Sequence, residues 1–230
     1  MEFKNPPLLL RAVRAGAHGQ RVQFTDTLVF DAGFIYLDGT PDADARTALY
    51  SRWGNRMFIP LTQAWEQELE QWNPLLVHTR RFQMQAGPAD EAALAAYTAR
   101  LPAGYALREF DAEAFSRHPF GHGLQFPDYA AFARDAAGTV VWKEGEIVAS
   151  ASSFITFSKE TELDVFTLVP HRRHGLALAC CAQMLLQCTR RGITMHWDAQ
   201  NGASRALAEK LGFELETAYM AYSFFAPEIP

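Results

Sequence analysis

Cysteine is scarce in this chain of 230 residues, and its three copies, Cys180, Cys181 and Cys188, all lie on one apolar stretch. An odd count with no second cluster argues against a disulfide framework and offers no ligand set for a structural zinc. They read as small apolar core residues. Positive charge is not in excess: 21 Lys and Arg stand against 26 Asp and Glu, a net charge of −5. That balance gives no support to generic binding of nucleic acid or of an anionic membrane. Long hydrophobic runs are also missing. The most apolar stretch, residues 175–189, is too short for a bilayer and contains Gln183 and Gln187. The apolar run 6–10 meets Arg11 at once, which makes a poor signal peptide. A cytoplasmic protein is expected. There is no internal repeat, no GxxxxGK(S/T) loop and no GxGxxG after a strand.

What is present is the composition of a globular protein, 49 % apolar and 20 % charged, long enough for a sizeable core. TLVFDAGFIYLDG (27–39) alternates and ends in Asp38-Gly39, so it predicts strands with a turn. Residues 62–72 predict a helix, capped by Thr62, with Trp65, Leu69 and Trp72 on one face and Asn73-Pro74 as its stop. A strand is expected over 77–85, an Ala-rich helix over 88–100, and a turn followed by a strand over 101–111. Residues 115–135 are irregular and become helical from Asp128. A hairpin turning at Lys143-Glu144-Gly145 fills 139–157, and a third strand fills 160–169. A helix without charge follows, ending at Arg190, Arg191 and Gly192. A strand (193–200), a helix (201–211) and closing strands (213–225) complete the pattern. This is an α/β chain with a mixed sheet and a crossover helix after the third strand of a meander.

The least ordinary feature is the small basic knot before that helix. His171, Arg172, Arg173 and His174 run into Gly175, and no charged side chain follows until Arg190. A helix start leaves backbone N–H groups without intrahelical partners, and the macrodipole adds partial positive charge there. A helix apolar on nearly every side is packed inside the protein. A diphosphate bound at its start would satisfy those donors, with Gly175 admitting it closely and the arginines supplying charge. A basic loop that merely precedes a core helix is an equal reading of the stretch alone.

The six residues Arg172 to Ala177 match Q/R-x-x-G-x-G/A. That loop follows a strand and opens a helix, and WDAQNGASRALAEKLGF (197–213) comes later in the right order. Together these resemble the GCN5-related N-acetyltransferases (GNAT). More narrowly, the second block, LPAGYALREFD and the 133–153 hairpin are similar to the subgroup that includes the zwittermicin A self-resistance acetyltransferase. The resemblance covers roughly 77–225 and reaches weakly into 1–76. It implies a GNAT-like acyl-CoA N-acyltransferase fold over 77–230. Residues 1–76 are expected to form a smaller N-terminal α/β region serving as a lid, a partner module or a homodimer contact.

The resemblance also implies a chemistry: direct transfer of an acetyl group from acetyl-CoA to the primary amine of a small molecule, without metal. Backbone from Arg173 to Ala177, with Arg172, His174 and Leu176 in the same loop, is implied to hold the diphosphate at Gly175. The pantetheine arm is implied to pair with backbone near Phe166, Thr167 and Leu168, and Asn201 and Ser204 to lie beside that arm or the thioester. Asn201 also reads as a helix cap. Many members carry a Tyr acid where this chain has Ala208, which leaves Ser204, a water, Tyr219 or Tyr222 for that role. That departure also leaves open a non-catalytic acyl-CoA-binding module. Glu162 and Asp164, alternating onto one strand face, are candidate bases or simply exposed acids. Asp198 is a candidate cap of the turn to Asn201, and His196 reads as a core histidine. His118 and His122 are spaced as HxxxH, but Pro119 and Gly121 deny the helix a metal pair needs. Phe120, Phe126 and Tyr129 are candidate walls of an acceptor pocket or core.

Overall fold

The computed structural model describes residues 3–72, 76–119 and 126–224. Its elements begin with α1 (Leu8–Arg14), β1 (Gln20–Gln23), β2 (Thr27–Asp31), β3 (Ile35–Gly39), α2 (Ala43–Ser51), β4 (Phe58–Pro60) and α3 (Gln63–Trp72). There follow β5 (Val77–Ala86), α4 (Glu91–Thr98), β6 (Ala106–Glu109), α5 (Ala112–Arg117), α6 (Tyr129–Asp135) and β7 (Gly138–Lys143). The last are β8 (Glu146–Phe157), β9 (Glu160–Thr167), α7 (Leu176–Arg191), β10 (Thr194–Ala199), α8 (Gly202–Lys210) and β11 (Phe213–Ser223), with a 3-10 turn at Val169–His171. The chain divides into two compact units, one drawn from 1–83, 198–205 and 215–229 and the other from 84–197 and 206–214. The sequence boundary at 76/77 thus falls inside the first long segment of the first unit.

In the first unit the strand order is β1-β2-β3-β4-β11-β5. β1, β2 and β3 form an antiparallel meander, β3 pairs parallel with β4, and β4 pairs antiparallel with β11. The alternating side chains of 27–39 put Val29, Ile35 and Leu37 into a core with Leu49, Phe58 and Trp65. Asp42 accepts the Ala45 N–H at 2.8 Å to start α2, and Thr62 accepts the Trp65 N–H at 3.3 Å to start α3. Neither α1 nor α2 is marked in the sequence pattern. Pro7 precedes α1 without a side-chain cap, and burial of Leu8, Leu9, Leu10 and Val13 is what holds that helix.

In the second unit the order is β10-β9-β8-β7-β6. β6 to β9 are antiparallel neighbours, and β9 pairs parallel with β10. The β7–β8 turn is two residues, Glu144 and Gly145, at φ of +51° and +82°; both central residues are left-handed, as the favoured hairpin turn requires. α7 lies against β7, β8, β9 and α4. It buries Leu176, Ala179, Cys180, Met184 and Leu186 among others, each large apolar side chain contributing roughly 1.5–3 kcal/mol. It ends as expected: Gly192 turns left-handed at φ +64°, and Ile193 N–H reaches Cys188 O at 2.9 Å. The stretch read as irregular from 115 begins inside α5, which starts at Ala112 because Asp111 accepts the Ala114 N–H at 2.8 Å. Among the described residues no helix is long and apolar enough to cross a membrane.

Candidate functional site

The site in the second unit is built where β9 runs into α7. Thr167 ends the strand, and the 3-10 turn carries the chain to Arg172, whose Nε donates to Thr167 O at 3.2 Å. Arg173 and Gly175 then adopt φ of +69° and +77°, with His174 between them. Successive N–H groups in such an alternation point into one concavity, which is an anion nest. Among the described residues, the backbone N–H groups from Arg173 to Ala177 meet no protein acceptor; the first helical bond belongs to Ala179, which donates to Gly175 O at 3.1 Å. No side chain caps α7. A Cβ built on Gly175 would meet nothing within 4 Å, so glycine is required there by the backbone's hand, not by crowding from the protein.

The strand leading to this nest runs on past its last β10 partner on one side. β9 pairs with β10 at only three positions, Glu160 with Thr194, Thr161 with Met195 and Glu162 with His196; β9 then runs on to Thr167. On its other edge β9 is paired with β8 throughout. Leu168 N–H donates to Val148 O at 2.9 Å, and antiparallel ladders alternate, so Leu168 and Phe166 direct their peptide groups to β8. Val165 and Thr167 direct theirs to the opposite edge. Within the stretch 166–168 expected to meet a pantetheine arm, the peptide groups of Phe166 and Leu168 are thus turned to β8, and those of Thr167, with Val165 before it, to the other edge, where Thr167 O accepts from Arg172 Nε. Sequence alone does not reveal which parity of a strand faces which neighbour. Val169, just past the strand, is 67 % exposed and offers an apolar surface at the same end.

Glu160, Glu162, Asp164 and Phe166 occupy one face of β9. Glu162 is buried and Asp164 half-buried. Glu160 Oε2 is 2.5 Å from Nε2 of His196 on β10. His196 thus has a carboxylate partner 36 residues away that its isolated position in a strand did not reveal. Phe166 packs edge-on against the His118 ring at 5.1 Å and joins Phe110, Phe126 and Phe132 in a buried cluster, with Tyr129 against it. His118 Nε2 lies 2.9 Å from Ser150 Oγ. Phe120 and His122 lie outside the described residues, among which no metal-binding group occurs.

In the first unit, Asn201 Oδ1 accepts the Ser204 N–H at 2.9 Å, so Asn201 caps α8 and Ser204 sits in its first turn. Asp198 is not the cap. Its carboxylate binds Arg81 Nε at 3.2 Å and the Tyr219 hydroxyl at 2.5 Å. Burial and the Asp198 charge push the Tyr219 phenol well above its ordinary range, despite the opposing Arg81. Tyr222 is pushed up to about 12 by burial and by Glu70 and Glu66. Neither phenol is matched to protonating a thiolate. Ala208 is fully buried. All three thiols are buried and raised; none is an activated nucleophile.

Residues 18–222 match the sequence profile of the GNAT acetyltransferase family. The chain belongs to that family. Among solved structures, a GCN5-related N-acetyltransferase-like protein from Streptococcus suis superposes on the GNAT chain with a TM-score of 0.85 at 27 % identity, covering 96 % of this chain and 94 % of its own. A GCN5-related N-acetyltransferase from Kribbella flavida, at 17 % identity and a TM-score of 0.57 over 95 % and 96 % of the two chains, shares the fold. The Bacillus subtilis protein YdfB, an uncharacterized N-acetyltransferase, is 30 % identical over 131 residues, or 54 % of this GNAT chain. The aligned part spans only 50 % of that relative's length. The mixed α/β architecture expected from the sequence is thus that of the GNAT acyl-CoA N-acyltransferase fold.

Proposed function

We propose that the protein moves an acetyl group from acetyl-CoA directly to the primary amine of a small molecule. The observation that carries this reading is the left-handed alternation at Arg173 and Gly175, which gathers acceptor-less N–H groups at the start of a buried helix. A diphosphate supplies acceptors in that position, and Arg172 and Arg173 supply charge. The pantetheine amides then pair with the Val165 and Thr167 edge of β9, beyond its last β10 partner. On the family resemblance, Asn201 and Ser204 are contacts of the same arm or of the thioester. The narrower likeness to the zwittermicin A subgroup, carried by 197–213, LPAGYALREFD and the 133–153 hairpin, points to an antibiotic-like or metabolite amine.

The acidic face of β9 suits the other substrate. Glu162 and Asp164 attract a protonated amine and take its proton, directly or through water, while Phe166 and its aromatic neighbours receive an apolar body. The freed nitrogen bonds to the thioester carbon, the C–S bond breaks, and the second proton shed by the nitrogen passes through Ser204 or water to the departing thiolate. No enzyme-bound acyl group is needed. The reaction is tested by thiol release from acetyl-CoA across a panel of aminoglycosides, amino acids and polyamines. An amine-dependent signal is expected, lowered on the order of 10²-fold or more by Glu162→Gln. Buried Ala208, where many members place a tyrosine acid, favours a second reading as a non-catalytic acyl-CoA-binding module. Tight cofactor binding with no amine-dependent release would select it.

A further inference from the structure

We propose that Lys143, Tyr105, His171 and His174 form a subsite for a phosphomonoester beside the Gly175 nest, making the protein selective for a nucleotide that carries a second phosphate besides its diphosphate. This rests on the diphosphate reading above. Three separate pieces of the second unit converge here. Tyr105 precedes β6, Lys143 is the last residue of β7 before its turn, and both histidines lie on the loop that leads to α7. Lys143 Nζ stands 4.8 Å over the Tyr105 ring centroid. The Tyr105 hydroxyl is 3.0 Å from His171 Nδ1, and the His174 ring lies tilted 5.9 Å from the same phenol.

The arrangement fixes which atoms are offered. His174 Nδ1 donates to His171 O at 3.2 Å, so Nε2 is the atom presented to a ligand, and it donates to an anion in the imidazolium form of the ring. Tyr105 thus meets all three: a hydrogen bond to His171, the Lys143 ammonium over its ring and the His174 ring against it. Lys143 is half-buried, whereas Arg173 and His174 are exposed. The nearby acids, Glu144 and Glu146, follow Lys143 on the hairpin and are exposed. In a chain of net charge −5, this gathering of an ammonium and two imidazoles with Arg172 and Arg173 is local. A dianionic phosphomonoester meets an ammonium point charge and a presented imidazole, a more complete match than a neutral ribose offers.

The test titrates CoA and 3′-dephospho-CoA, which share diphosphate and pantetheine, into the full chain and into Lys143→Gln. The full chain is expected to bind CoA about tenfold or more tightly than its dephospho form, the scale of hydrogen bonds to charged groups. Lys143→Gln is expected to lose most of that preference while holding dephospho-CoA within about twofold of the unaltered chain. Equal affinity of the unaltered chain for both compounds overturns the subsite and leaves the diphosphate reading standing. A Lys143→Gln variant that weakens both compounds equally also overturns it, because that marks a loop-shaping role. Binding of neither compound by the unaltered chain overturns the diphosphate reading and the subsite together.

Discussion

Tyr219 gives its hydroxyl hydrogen to Asp198 Oδ2 at 2.5 Å while Arg81 Nε holds Oδ1 of the same carboxylate at 3.2 Å. Arg81 also reaches back to Asp198 O through Nη2 at 3.2 Å, and its guanidinium lies 4.8 Å over the Phe34 ring. Breaking a buried pair from one side strands the other charge. Arg81→Met is therefore expected to cost about 3–5 kcal/mol, read as a lower urea midpoint at unchanged slope. Tyr219→Phe, which removes a neutral donor, should cost about 1–3 kcal/mol. An Arg81→Met variant within 1 kcal/mol of the parent would contradict the assignment of this cluster.

Alkali should destabilise the protein well before its folded thiols ionise. Burial raises Cys180 and Cys181, and pushes Cys188 up to about 11 against the lowering effect of Arg191. Unfolded cysteine titrates near 8.5 and tyrosine near 10. Between those values and the folded ones the native state holds more protons than the unfolded state, so stability falls as pH rises. Urea midpoints are expected to be level near pH 7, to decline from about pH 8.5 and to steepen above about pH 10 as Tyr219 contributes. Native thiols should resist an aromatic disulfide reagent until denaturant is added. A flat profile to pH 10, or prompt titration of native cysteines, would contradict this.

Asn201 separates capping from cofactor contact. Asn201→Ala should cost about 1 kcal/mol through loss of the bond to Ser204 N–H. Asn201→Asp retains an acceptor and should keep the stability. If Asn201 also touches the pantetheine arm, Asn201→Asp loses acetyl-CoA affinity at parental stability. A variant with both properties intact confines Asn201 to capping.

Much of the second unit was legible because its signals are local. The basic run into Gly175, the apolar stretch to Arg190 and the glycine stop at Gly192 each act within one turn of α7. The Glu144-Gly145 turn likewise carries its own backbone demand. What stayed hidden depends on distant partners. Arg81 and Asp198 are 117 residues apart and meet only when the first unit recovers 198–205 from late in the chain. α1 lacks a side-chain cap, and α2 and α5 follow single aspartates that read equally as turn residues. The parity of β9 depends on which neighbour takes Leu168 N–H. Lys143 belongs to the hairpin turn and His171 to the basic run, but nothing in either segment points to the other or to Tyr105; their meeting is a product of hairpin length and loop path.

The central claim, that the turn at Gly175 grips the diphosphate of acetyl-CoA, is most directly tested by calorimetric titration of acetyl-CoA into the parent chain, Gly175→Glu and Gly192→Ala. Both glycines are left-handed, at φ of +77° and +64°, but they stand at opposite ends of α7. The account predicts saturable binding by the parent, no binding to millimolar ligand by Gly175→Glu, and parental affinity with reduced stability for Gly192→Ala. Acetyl-CoA affinity unchanged in Gly175→Glu would contradict it.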